Sequence, residues 1–171
     1  MTYSMRQYKL FISHAWDYGG DYDNLVNLLK SDVLFRWTNL SVPEEDKLPS
    51  HPTLPKSYRF FVRQLDDRIM QSDCLLVIAA MYLNHRGWIQ SEIEAALEYE
   101  KPIIAVRPWD SERIPSQLLG QVGVTDFVGW NAASIIASIR KHATLRQAGP
   151  NVYEGSEMLG FYLENMNRPK R

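Results

Sequence analysis

The chain has 171 residues, of which 45% are hydrophobic, 23% charged and 12% aromatic, with 9 Gly and 9 Pro; that is material for one ordinary core and excludes disordered, collagen-like and coiled-coil classes. Against 20 Asp and Glu stand 19 Lys and Arg, a formal charge of -1, so no net positive field exists to hold a nucleic acid. A lone cysteine, Cys74, excludes an internal disulfide or a multi-thiolate zinc site and fits a reducing cytoplasm.

The predicted elements follow in chain order. Residues 8–13, YKLFIS, read as a first strand, ended by the turn-forming cluster His14, Ala15, Trp16, Asp17 and Gly19-Gly20. From Tyr22 to Val33 the apolar residues Leu25, Val26, Leu28, Leu29 and Val33 recur at spacings of three and four, which predicts a helix with Val33 on its inner face. A brief aromatic strand at residues 35–38 leads into NLSVPEEDKLPSHPTLP, residues 39–55, a proline-rich stretch without period that reads as a functional lid. Phe61, Leu65 and Ile69 mark a helix over residues 56–72.

CLLVIAA, residues 74–80, is apolar at every position, as befits a central strand covered on both faces, and Tyr82 is expected at its end. A helix over residues 88–100 and a strand over residues 101–109 follow. Next come a short helix at residues 113–121, a last strand at 125–129 and a helix at 132–145. The longest apolar run, residues 74–83, is too short to cross a bilayer, and the opening MTYSMRQYK lacks a signal-peptide core, so no membrane association is expected. Alternating strands and helices predict an α/β fold, a flavodoxin-like five-stranded parallel sheet of order 2-1-3-4-5 with helices on both faces. Residues 1–146 form this domain, and residues 147–171 a C-terminal extension, partly helical or frayed. Ligands of such sheets bind beyond the carboxyl ends of the strands, where strand order reverses, which nominates residues 13–22, 80–88 and the first turns of the third long helix.

No dinucleotide-binding glycine fingerprint, phosphate-binding P-loop, zinc-protease HExxH or hydrolase nucleophile elbow occurs. His14, His51, His85 and His142 show no paired spacing, so no metal is expected. The third long helix is more informative. At about 100° per residue, Ile93, Ala96 and Leu97 fall within about 80° of Ile89, and Glu92 lies about 60° to the other side, bordering the buried face. Trp88, one turn earlier, shares that side. The pair reads either as a sugar-gripping acid and ring or as a first-turn acid favoured by the helix dipole beside a packing aromatic.

KLFISHAW, SVPEED, CLLVIAAMY, WIQSEIEAA and EKPIIAVRPW, in this order, resemble the motifs of TIR domains, and more narrowly those of the bacterial TIR-like group that includes the ThsB proteins of Thoeris anti-phage systems. The resemblance runs from Tyr8 to His142. It implies an enzyme that cleaves the nicotinamide–ribose bond of NAD, taken as substrate, with Glu92 of the Trp88-x-x-x-Glu92 arrangement as the catalytic glutamate. It further implies an ADP-ribose-derived signalling nucleotide, cyclic or conjugated, that reaches a downstream effector, and self-association through residues 39–55, the family's BB loop. Ser13, His14 and Trp16 would contact substrate, as would Tyr82. Trp16 and Tyr18 either stack on adenine or cover the sheet end, and Ser13 and His14 either meet the ligand or satisfy turn backbone. Where many TIR enzymes carry polar residues after the first strand, this chain has Ala15-Trp16; Arg86 or amides at a helix start would serve the phosphates instead. The competing function is a scaffold without catalysis that acts through the same loop.

Overall fold

A computed structural model describes residues 6–13, 20–41, 55–84, 86–107, 118 and 123–143, with side chains except at residues 55–62, 83, 84 and 88. The strands are β1 (Tyr8–Ser13), β2 (Trp37–Asn39), β3 (Cys74–Ile78), β4 (Ile103–Val106) and β5 (Asp126–Val128). The helices are α1 (Asp21–Lys30), α2 (Pro55–Gln71), α3 (Ala79–Asn84), α4 (Arg86–Glu98) and α5 (Ala132–His142). All strand pairs are parallel and their order is β2-β1-β3-β4-β5, as the alternation predicts.

Every residue of β3 and β4 is buried, because helices cover both faces of the sheet and leave no wetted side for polar residues. Phe11, Leu10, Ile12, Leu75, Leu76 and Ile78 join the inner faces of α1, α2 and α5 in one continuous core. Cys74 lies within it as a free thiol whose pKa burial pushes up, so it packs as a small hydrophobe and is a poor nucleophile. No helix among the described residues is long and apolar enough to cross a membrane.

Element ends follow local chemistry. Gly20 takes a left-handed φ of 58° ahead of α1, whose first turn carries Asp21 and Asp23 and whose last turn carries Lys30, matching the helix dipole. The helix stops there, short of residue 33, since Ser31 turns back to the carbonyls of Asn27 and Leu28. Val33 is consequently 88% exposed rather than on the inner face. Asn131 accepts from the Ser134 amide to cap α5, and Arg140, Lys141 and His142 close its last turn.

Two further boundaries differ from expectation. β3 ends at Ile78, and the apolar run continues as α3, although Ala79 and Ala80 read as strand and Tyr82 as the strand's end in the sequence. Leu97, expected inside, is 36% exposed, whereas Ser91 and Ala95 are buried. The helix expected at residues 113–121 is described only at Leu118, which is buried; residues 42–54 of the proposed lid and the whole C-terminal extension lie outside the described residues.

At the amino end of the sheet, polar groups pin the strands. Asp73 accepts from the Lys9 amide at 2.7 Å and pairs with Arg6 at 3.3 Å, and the Arg6 guanidinium lies 4.5 Å from the centroid of the Tyr8 ring. Asp126 accepts from Ser138 at 2.6 Å and lies 3.5 Å from His142, joining β5 to α5. The Ser138 hydroxyl, with help from the Phe127 amide and His142, holds the Asp126 carboxyl below its usual 3.8.

A depressed carboxyl contributes stability that is present above its unfolded pKa and lost as pH falls through the folded one. Ser138→Ala is therefore expected to lower the melting temperature by about 2–4 °C at neutral pH. The deficit should begin to shrink as pH falls below about 4, the unfolded value, and vanish once pH has passed through the lower folded pKa of Asp126; calorimetry over a pH series checks both. Gly123 has a φ of 104°, and a Cβ there would also run into Leu97. Gly123→Ala should cost about 1–2 kcal/mol in chemical denaturation, mostly backbone strain, since the Leu97 side chain can swing aside.

Candidate active site

The site is built at the carboxyl end of the sheet, beside the paired strands β1 and β3, from which the next strands, β2 and β4, lie on opposite sides. Ser13 is the last residue of β1, in register with Val77 of β3, and is completely buried. α4 carries Glu92 past this point. The helix buries Ile89, Ser91, Glu92, Ile93, Ala95 and Ala96, an arc of about 200° whose middle is Glu92. The acid thus occupies the centre of the buried face rather than its border, because α4 is wedged against α2 and α3 as well as against β3 and β4.

Glu92 is 2% exposed, and its Oε2 accepts a hydrogen bond from the Ser13 hydroxyl. The contact joins residues 79 positions apart in the chain, so only the folded sheet brings them together. A carboxylate out of water interacts with charge far more strongly than one in bulk solvent, and folding must offset its desolvation.

Tyr82 does not end a strand. It lies in α3, fully buried, and its hydroxyl donates to Oε1 of Gln90 at 2.8 Å, while the Gln90 amide donates to Glu94 at 3.0 Å. This chain of polar contacts fastens α3 to α4 within one turn of Glu92. Gln90 was not legible as a site residue, since at about 200° from Glu92 it lies nearly opposite the acid on the helix and only the packing of α3 on α4 brings Tyr82 to it. Arg86 is the exposed first residue of α4. Trp88 lies in the first turn of α4 in the Trp-x-x-x-Glu spacing, its side chain outside the described set, and His14, Trp16 and Tyr18 lie outside the described residues altogether.

The root of the long loop is held beside the same strand end. The Ile12 amide donates to Ser41 Oγ at 2.9 Å, and Arg68 of α2 donates to the carbonyls of Leu40 and Ser41 at 3.4 and 3.2 Å. Asn39 bonds the Tyr22 hydroxyl at 2.7 Å, and its side-chain oxygen takes the Ser41 amide at 3.0 Å. The roles of Ser41 and Arg68 are not legible in the sequence, since no periodicity links a helix side chain to a loop carbonyl.

Two open clefts lie at the other end of the sheet, away from Glu92. One, of about 450 Å³, is lined by Lys30, Val33, Arg36 and Trp37 among others; a second, of about 350 Å³, is lined by Asp73, Lys101, Thr125 and His142 among others. Burial lowers the Lys101 pKa, and it raises that of Asp66 at the Tyr99 hydroxyl. Among the described residues no group of three or more His, Cys, Asp or Glu is arranged to hold a metal ion.

Comparison with known proteins bears on the family. No curated protein matches the chain. A conserved protein from Enterococcus faecalis, solved by crystallography, is similar in fold at a TM-score of 0.51 and 14% identity, over 80% of this chain and 99% of its own. A 3-dehydroquinate dehydratase-like protein from Bifidobacterium longum aligns at a TM-score of 0.42 and 11% identity, over 81% of this chain and 96% of its own. The family model described as Thoeris protein ThsB, TIR-like domain, matches residues 11–113. That span runs from β1 past β4 and includes Ser13, Tyr82, Trp88 and Glu92. The chain belongs to the ThsB TIR-like domain family.

Proposed function

We propose that the protein is an NAD-cleaving enzyme of anti-phage defence that breaks the nicotinamide–ribose bond and releases an ADP-ribose-derived signalling nucleotide. The observation that carries the reading is the buried Glu92 carboxylate, held by Ser13 at the carboxyl end of the sheet in the Trp88-x-x-x-Glu92 spacing. A residue kept only for solubility would face water. An acid that folding draws into the interior, at the end of the sheet where such folds bind ligands, is better accounted for by chemistry.

The reaction suits a single carboxylate. Most glycoside hydrolases need one acid to protonate the leaving oxygen and a second group at the sugar carbon. Nicotinamide is already a cationic pyridinium in NAD. When the C1′–N1 bond breaks, its electron pair returns to the ring nitrogen, the base departs neutral, and the positive charge passes to the ribose. Glu92 faces that developing oxocarbenium charge in a water-poor setting, where electrostatic stabilisation is strongest. Water then adds at C1′ to give ADP-ribose and one proton, or a nucleophile within the same molecule closes a cyclic product. Self-association through residues 39–55 would complete the cleft, with the loop root at Leu40 and Ser41 anchored by Arg68.

The purified chain, concentrated to self-associate or supplied with lysate from phage-challenged cells, should release nicotinamide from NAD. Glu92→Gln should reduce that release by about 10³-fold or more. The same substitution should leave the melting temperature unchanged or higher, because it removes a buried acid while keeping the shape of the side chain. Unaltered turnover by Glu92→Gln would move the chemistry elsewhere. Constant NAD pools in challenged cells, with or without the protein, would leave the scaffold function in its place.

A further inference from the structure

We infer that Ser13 is a positioning residue for Glu92 rather than a substrate contact; the inference rests on the catalytic role proposed for Glu92 and deepens it. Ser13 has no exposed surface, and its hydroxyl is committed to Oε2 of the acid. Its one proton is thus donated to the acid, and the described residues leave none of its surface open to a ligand. The backbone of Ser13 is itself held, because it is in parallel register with Val77 of β3, within a strand whose earlier residues Tyr8 to Leu10 also pair with β2. Its hydroxyl is therefore presented from a rigid platform rather than from a turn.

A hydrogen bond to a charged acceptor is shorter and about twice as strong as a neutral one. Here it couples the middle of the sheet to the helix that bears the acid. Held by this bond, the carboxylate meets the ribose in a set orientation, as an electrostatic partner, and is restrained from swinging towards C1′ as a nucleophile. The neighbouring residue Ile12 holds Ser41 at the root of the long loop. The last two residues of β1 thus align the acid and the base of the lid in one frame.

The distinction is measurable, because losing a substrate contact raises KM, whereas losing the alignment of a catalytic group lowers kcat. Steady-state NAD cleavage is measured for the full chain, self-associated as above, and for Ser13→Ala, Ser13→Thr and Glu92→Gln. Ser13→Ala should lower kcat about 10–100-fold, the range seen when a residue that orients a functional group is lost, with KM for NAD held within about twofold. Ser13→Thr keeps the hydroxyl and should recover most of kcat. A raised KM with kcat intact would overturn the inference, and so would equal kcat values for the Ala and Thr variants.

A melting-temperature cycle needs no turnover. Ser13→Ala should cost less than half as much in a Glu92→Met chain as in the unmodified one, since Met offers the hydroxyl no carboxylate. Equal losses in the two backgrounds would overturn the inference at the level of the contact. Failure of the unmodified chain to release nicotinamide would instead overturn the enzymatic reading, and the melting cycle tells that result apart from absence of the contact.

Discussion

A carboxylate withdrawn from water is the constraint on which this architecture turns. Burying Glu92 is unfavourable unless a donor stands ready, and the donor comes from 79 positions earlier in the chain, at the close of β1. To bring the two together the chain must place β1 beside β3 in parallel and wedge α4 between α2, α3 and the sheet. The apolar saturation of β3 and β4 makes that possible, because both faces of these strands can then be covered by helices such as α4.

The two ends of the sheet divide the labour. At the amino end Arg6, Asp73, Asp126, Ser138 and His142 tie strands to helices, and their polar atoms serve chiefly one another. At the carboxyl end, among the described residues, Ser13 meets Glu92 and Tyr82 meets Gln90, while Ser41 and Arg68 hold the root of the long loop. This polarity is what an open α/β sheet imposes, since strand carboxyl ends and helix amino ends converge on one side. Membership of the ThsB TIR-like family agrees with it, as the matched segment holds β1, β3, α4 and β4.

Some of the local rules yielded to tertiary packing. The run from Cys74 to Leu83 has no polar punctuation, so strand and helix are indistinguishable along it by periodicity; β3 gives way to α3 once the chain leaves the sheet and only i-to-i−4 bonding can satisfy its backbone. That change moved Tyr82 from a presumed strand end to a buried helical position facing Gln90. Val33 completed a helical spacing on paper, yet Ser31 terminates α1 before it. Leu97 was assigned inward from the wheel of a helix with one buried face, whereas α4 packs on several sides and its buried arc is rotated towards Glu92 and Ala95.

The order of residues alone determined the alternating α/β pattern, the parallel sheet order, the placement of Glu92 near the buried side of α4 and the Trp88-to-Glu92 spacing, because each depends on periodicity over a few turns. Tertiary structure decided the rest: that Glu92 lies at the middle of the buried arc, that Ser13 is its donor, that Gln90 receives Tyr82, and that Arg68 grips the root of the loop. Those contacts join residues far apart in the chain or on different elements. Their existence depends on distances set by helix–sheet packing, which no local pattern of side chains encodes.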